Sequence, residues 1–117
     1  MRELMLSAAA AAVLLGAASL PATSSMRPSH TVAIKGFAFS PKTLTIAAGE
    51  SVRFVNQDQE AHTVVADKGA FNSGGLDTSD SWTVKLQKPG KYSYFCSLHP
   101  YMKGTIVVVA RMGMGGH

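Results

Sequence analysis

Between residues 31 and 109 the chain is a succession of short runs with a two-residue period, each ended by turn-forming residues. They read "TVAIKG" (31–36), "TLTIA" (43–47), "SVRFVN" (51–56), "HTVVA" (62–66), "SWTVKL" (81–86), "KYSYF" (91–95) and "GTIVVV" (104–109). Leu44 and Ile46, Val52 and Phe54, and Trp82, Val84 and Leu86 alternate with polar neighbours, the period that puts one face of a strand in a core. Ser40-Pro41, Ala48-Gly49-Glu50, Lys88-Pro89-Gly90 and the Gly-rich stretch 68–80 separate the runs. No window after the first thirty residues carries a helical apolar stripe. So many short strands in so few residues predict an all-β fold, a sandwich or a barrel. Tyr92, just after Pro89-Gly90, is placed either to bond its hydroxyl back to nearby backbone at a corner between strands or to face the core.

The N-terminal part differs in kind. "MRELMLSAAAAAVLLGAASLPATSS" has a basic start, an uncharged apolar run from Leu4 to Leu20, Pro21, and then the small residues Ala22-Thr23-Ser24. That order predicts a secretory signal over 1–24, with an uncleaved anchor or an ordinary helix as the alternatives. No cysteine near the cut could carry a lipid, and no paired arginines mark a twin-arginine route, so the general secretory pathway into a periplasm is expected. A short linker, 25–30, a single domain, 31–110, and a tail, 111–117, complete the layout. The net charge of +4 comes from scattered lysines without a basic cluster. This gives no nucleic-acid footprint and at most steers an acidic partner.

Cys96 is the sole cysteine, and it opens the stretch "CSLHPYM" between two strands. His99 and Met102 follow in the spacing C-x2-H-x2-M, and His62 precedes by 34 positions (96 − 62) at the start of another expected strand. Taken alone, Cys96 is equally a small buried apolar side chain. Zinc is disfavoured because closed zinc sites use Cys and His rather than Met. A Cys–His nucleophilic pair lacks an orienting third group and a cleft. A thiolate, two imidazoles and a thioether on a β scaffold together match the donor set of a blue-copper centre, which serves both Cu(I) and Cu(II).

These residues carry a family resemblance. "AIKGFAFSPKTLTIAAGESVRFVNQDQEAHTV" and "LQKPGKYSYFCSLHPYMKGTIVVV" resemble the cupredoxins, and the short loop continued by "KGTIVVV" resembles the amicyanin group within them. The resemblance covers about residues 31–110 and implies a Greek-key β-sandwich with one type 1 copper ion. It implies that His62, Cys96 and His99 are equatorial ligands and Met102 the axial one. It also implies single-electron transfer between redox partners, a periplasmic dehydrogenase such as methylamine dehydrogenase and a c-type cytochrome among them, by a monomer that is not itself an enzyme.

Two positions depart from the family pattern. Thr63 stands where members often have an Asn that ties the ligand loops together, and Leu98 where they often have Pro. Leucine, unlike proline, keeps a backbone N–H that can donate to the Cys96 sulfur. Leu98, Pro100 and Tyr101 are expected to form an apolar collar around an exposed His99 edge, either as a docking face or as a shield from water. His30 is expected to be solvated, and Phe37, Phe39, Phe54, Phe71 and Phe95 to pack. Met112, Met114 and His117 in the tail are soft donors suited to holding Cu(I) loosely. The alternative function is therefore copper delivery, and a secreted chain whose thiol pairs with another protein is a third reading.

Overall fold

The computed structural model describes residues 30–111. The expected signal segment, residues 25–29 of the linker, and Met112, Met114 and His117 lie outside the described residues. Eight strands run in the order β1 (His30–Ile34), β2 (Phe39–Ser40), β3 (Thr43–Ala47), β4 (Ser51–Asn56), β5 (Val65–Ala66), β6 (Ser81–Lys85), β7 (Gly90–Phe95) and β8 (Lys103–Val109). They form two four-stranded sheets, β2-β1-β4-β6 and β3-β8-β7-β5, with no helix among the described residues. β1 pairs with β4 and β3 with β8 in parallel; the other ladders are antiparallel.

Alternation along each strand builds the core. Val32 and Ile34 of β1, Val52 and Phe54 of β4, Tyr94 of β7, and Ile106 and Val108 of β8 are all buried. Trp82 and Val84 of β6 are half-buried and pack on the edge of this cluster. The Tyr94 ring meets Phe39 and Phe54 edge-on, at centroid distances of 4.8 and 5.4 Å. Its hydroxyl is buried with no hydrogen-bond partner among the described residues. Such an orphan costs about 1–3 kcal/mol. Burying a large side chain and placing two rings edge-on returns at least as much, about 1.5–3 kcal/mol plus 0.5–1.5 kcal/mol per ring pair. Packing therefore wins at this position.

The structure extends the expected strand pattern in four places. Phe39–Ser40 pairs with β1 as a strand of its own, joined to β3 through the cis Ser40-Pro41 bond. The run 62–66 is a strand only at Val65–Ala66; His62 sits in an isolated bridge to Leu76. His30 is the first residue of β1, and its Nε2 lies 2.9 Å from Glu50 Oε1 rather than free in solvent. Tyr92 settles its two placements in favour of both: its ring packs against the core, and its hydroxyl donates to the Lys88 carbonyl at 2.5 Å.

Tyr94 also fixes the identity of residue 104. A Cβ on Gly104 would collide with the Tyr94 ring, which leaves the close approach of β7 and β8 to glycine alone. Gly104→Ala is expected to destabilise the fold by about 1–3 kcal/mol, the usual effect of overpacking a filled core. Urea unfolding of the two proteins measures this, and equal midpoints would contradict it.

Candidate metal centre

The ends of β4 and β7, the start of β8 and the loops between them meet at one end of the sandwich. Cys96 follows Phe95 at the end of β7, on the inward side shared with Tyr92 and Tyr94, and is wholly buried. The loop after it closes on itself. His99 N–H donates to the Cys96 carbonyl (3.2 Å), Met102 N–H to the His99 carbonyl (2.9 Å), and Cys96 N–H to the Met102 carbonyl (3.1 Å). Met102 ends this loop as a buried residue, while Leu98 and Tyr101 stand 54% and 69% exposed on its outer side. His62 reaches the same place from the segment between β4 and β5, held by paired backbone bonds with Leu76 at 3.0 and 2.8 Å. Asn56, fully buried, pins this corner by donating its side-chain amide to the Glu60 and Leu76 carbonyls.

The donor atoms converge. His62 Nδ1 and His99 Nδ1 each lie 3.7 Å from Cys96 Sγ, and one donor atom from each residue falls within 4.8 Å of the others. Metal–nitrogen and metal–sulfur bonds of about 2.0 and 2.3 Å, set 120° apart, place nitrogen and sulfur about 3.7 Å from each other. Both nitrogen–sulfur separations therefore match those of two imidazoles and a thiolate around one metal ion. The sequence expectation for His62, Cys96 and His99 places three donors where the structure brings three donors together.

The Thr63 side chain ties the two loops together through its hydroxyl. Its Oγ1 accepts the Ser97 N–H at 2.7 Å and lies 2.8 Å from Ser97 Oγ, which joins the two ligand loops. Its backbone N–H donates to Cys96 Sγ at 3.4 Å. Burial alone would push the Cys96 thiol up, but the Thr63 N–H, the His62 and His99 rings and, as the smallest contributor, the Leu98 N–H bring it down to about 6. Such a thiolate is ready to bind a soft cation without a large proton cost.

Several contributors carry no mark in the sequence. Asp58 accepts from Gly36 N–H at Oδ1 (2.7 Å) and from Phe37 N–H at Oδ2 (2.9 Å), and Oδ2 also lies 2.8 Å from His62 Nε2. With Nδ1 turned toward the sulfur, His62 donates from Nε2, the arrangement that fixes a ligand ring's tautomer. Burial opposes the Asp58 charge, yet these donors hold its carboxyl below the usual value. Phe37, expected only to pack, is 37% exposed with a left-handed φ of 58°. That conformation costs a side-chain-bearing residue about 1–2 kcal/mol. No periodicity signals these roles, because Asp58 and His62 lie in an irregular loop and the bonds to Gly36 and Phe37 span 22 and 21 residues.

Comparison with known proteins agrees with this geometry. The family model described as the cupredoxin-like domain matches residues 6–108. The amicyanin of Paracoccus versutus is 32% identical over 82 residues, covering 66% of this chain and 62% of that protein. Amicyanin-alpha of Methylorubrum extorquens is 32% identical over 118 residues, covering 92% of this chain and 99% of that protein. The chloroplastic plastocyanin of Chlamydomonas reinhardtii is 39% identical over 83 residues, covering 60% of this chain and 57% of its own length. The chain thus spans under two thirds of the Paracoccus and Chlamydomonas proteins. Among solved structures, a Cu(I) amicyanin variant matches with TM-score 0.63 at 22% identity, over 67% of this chain and 79% of that one, a likeness of fold. The Cu-containing nitrite reductase of Thermus scotoductus matches with TM-score 0.69 at 34% identity, over 86% of this chain but only 25% of that one.

In the metal-free protein the thiolate absorbance of Cys96 is expected to rise with a midpoint near pH 6, against the usual 9.0. Because the folded value is the lower one, the thiolate's contribution to stability is complete above pH 9 and is lost as pH falls through 6. An ultraviolet pH titration checks the midpoint, and an ordinary cysteine value would contradict the hydrogen bonding described.

Proposed function

The chain belongs to the cupredoxin-like family, and from that membership we propose that it is a small blue-copper protein carrying single electrons between redox partners. The observation that carries the proposal is the convergence of His62 Nδ1 and His99 Nδ1 on Cys96 Sγ, each at the nitrogen–sulfur separation that a shared metal ion sets. In this reading those three residues, with the buried Met102 thioether as a fourth donor, would hold one copper ion. Bound copper supplies the Cu(I)/Cu(II) couple.

The protein's own part is to keep the donors still. The 96–102 backbone bonds fix the loop, Asp58 fixes the His62 ring, and the Thr63–Ser97 contact ties the two loops. A site that moves little between oxidation states meets a low barrier to transfer. Leu98 and Tyr101 surround the half-exposed His99, and this apolar patch serves as a docking face for brief encounters. The carrier is not itself an enzyme.

The layout proposed with this function is a secretory signal over 1–24, a cupredoxin domain and a short Met/Gly/His tail, with the mature protein a periplasmic monomer. Among the described residues no helix is long and apolar enough to cross a membrane. Its partners are a periplasmic dehydrogenase and a c-type cytochrome. The second reading, copper delivery, is favoured only by Met112, Met114 and His117, soft donors outside the described residues.

One equivalent of Cu(II) added to the mature domain is expected to give an intense blue band and a narrow copper hyperfine splitting. Both should vanish on reduction, return on oxidation, and be absent in Cys96→Ser. A colourless complex, or ready loss of Cu(I) to a chelator, would move the assignment to delivery. Leu98→Pro removes the N–H that favours the less basic sulfur of Cu(I), so its reduction potential is expected to fall. A voltammogram with an unchanged or higher potential would exclude that role for Leu98.

A further inference from the structure

We propose that Asp58 and Phe37 are a coupled positioning pair for the metal centre, with one carboxylate setting both the His62 ring and the aromatic brace that limits both imidazoles. The inference rests on the copper-carrier reading for its consequence, but not for its geometry. Asp58 Oδ2 serves the His62 Nε2 proton and the Phe37 N–H, while Oδ1 takes the Gly36 N–H. Asp58 is itself held from two sides, its N–H donating to Asn56 Oδ1 at 2.9 Å and its carbonyl accepting from Thr78 Oγ1 at 2.8 Å. The carboxylate is therefore a fixed point to which ring and turn are both tied.

The turn it holds is unusual. Gly36 and Phe37 are consecutive left-handed residues, at φ 64° and 58°. Left-handed backbone is ordinary for glycine but a true outlier for a bulky side chain. Core burial does not account for it, since Phe37 remains 37% exposed. What the conformation achieves is presentation of the ring. Phe37 stands edge-on to His62 at 5.1 Å and 90°, and edge-on to His99 at 5.0 Å and 84°. The two imidazoles also touch, with centroids 5.0 Å apart. Phe37 thus closes a three-ring cluster in which neither imidazole can turn without displacing it. Strain that persists at a functional site in this way has a use to explain it. Here the use is to stop His99, carried on an exposed loop, from changing position when copper changes charge.

Two variants separate positioning from mere folding. Asp58→Asn keeps the size but removes the charge that three N–H groups share. In the metal-free protein, nitrogen NMR is expected to show His62 losing its fixed Nε2–H tautomer, with Gly36 and Phe37 amides exchanging at least about tenfold faster. In the copper-loaded protein, affinity is expected to fall about 10–100-fold, the usual effect of losing a partner behind a ligand histidine. Phe37→Gly should still fold, because glycine accepts the left-handed turn without strain and so offsets much of the lost ring contact. It should nevertheless broaden the His99 ring resonances and shift the reduction potential. The pair is overturned if Asp58→Asn leaves the His62 tautomer and the two amides unchanged, or if Phe37→Gly leaves both His99 mobility and the potential unchanged. Should Asp58→Asn fail to fold, Phe37→Gly decides alone. If the metal-free effects appear but no variant, parent included, gives a blue centre, the positioning pair stands and the carrier reading falls.

Discussion

The fold depends on the side-chain alternation of β7. Hydrogen bonding to β8 on one side and β5 on the other leaves this strand no freedom of register, and the Tyr92 corner bond anchors its beginning. Tyr92, Tyr94 and Cys96 consequently all face inward. A slip of one residue would bury Phe95 and turn the thiol to solvent, because strand side chains repeat every two positions. Everything else about the centre follows from that placement. The loop that starts at Cys96 can close on Met102 only where it does, and the Gly104 gap admits the Tyr94 ring that holds the strand inward.

A buried thiolate beside two imidazoles is costly to assemble unless its surroundings answer the charge. Here desolvation is the largest single influence on Cys96, and it loses to several smaller ones acting together. The Thr63 and Leu98 N–H groups and the two rings suffice because they arrive from two separate loops and are already oriented. The Thr63–Ser97 contact adds to this preorganisation, because Ser97 offers the Thr63 hydroxyl both an N–H and a hydroxyl.

How much of this was legible in the sequence depended on the range of the cause. Period-two runs and turn residues act locally, so an all-β fold, sandwich or barrel, and most strand positions could be read directly, while the sandwich came with the family resemblance. C-x2-H-x2-M is local too, and it led to Cys96 and His99; His62 was found by its family context at a strand-like start. Three short-range readings needed adjustment. Val65–Ala66 is all that remains of the fourth run, since His62 and Leu76 bridge each other instead, and Phe39–Ser40 is too brief to show a period. His30 joined β1 because the parallel pairing with β4 reaches it and Glu50 lies alongside. Asp58 and Phe37 were not legible as site residues at all. An acidic residue in a polar loop and a phenylalanine after a glycine have no distinguishing pattern until folding brings the 36–37 turn beside the 56–62 loop.

The sheet edges have a consequence for association. A carrier must meet partners many times and part from them, so surfaces that pair permanently would work against it. Open strand edges are such surfaces, since their free N–H and carbonyl groups can recruit another chain. This fold ends each sheet with one strand of only two residues, β2 on one side and β5 on the other. The opposite edges, β3 and β6, are five residues long, and β6 ends on Lys85. Lysine there brings a charge that a neighbouring copy would have to desolvate. The same sandwich that holds its donor atoms rigidly at one end thus presents margins poorly suited to growing a sheet across molecules.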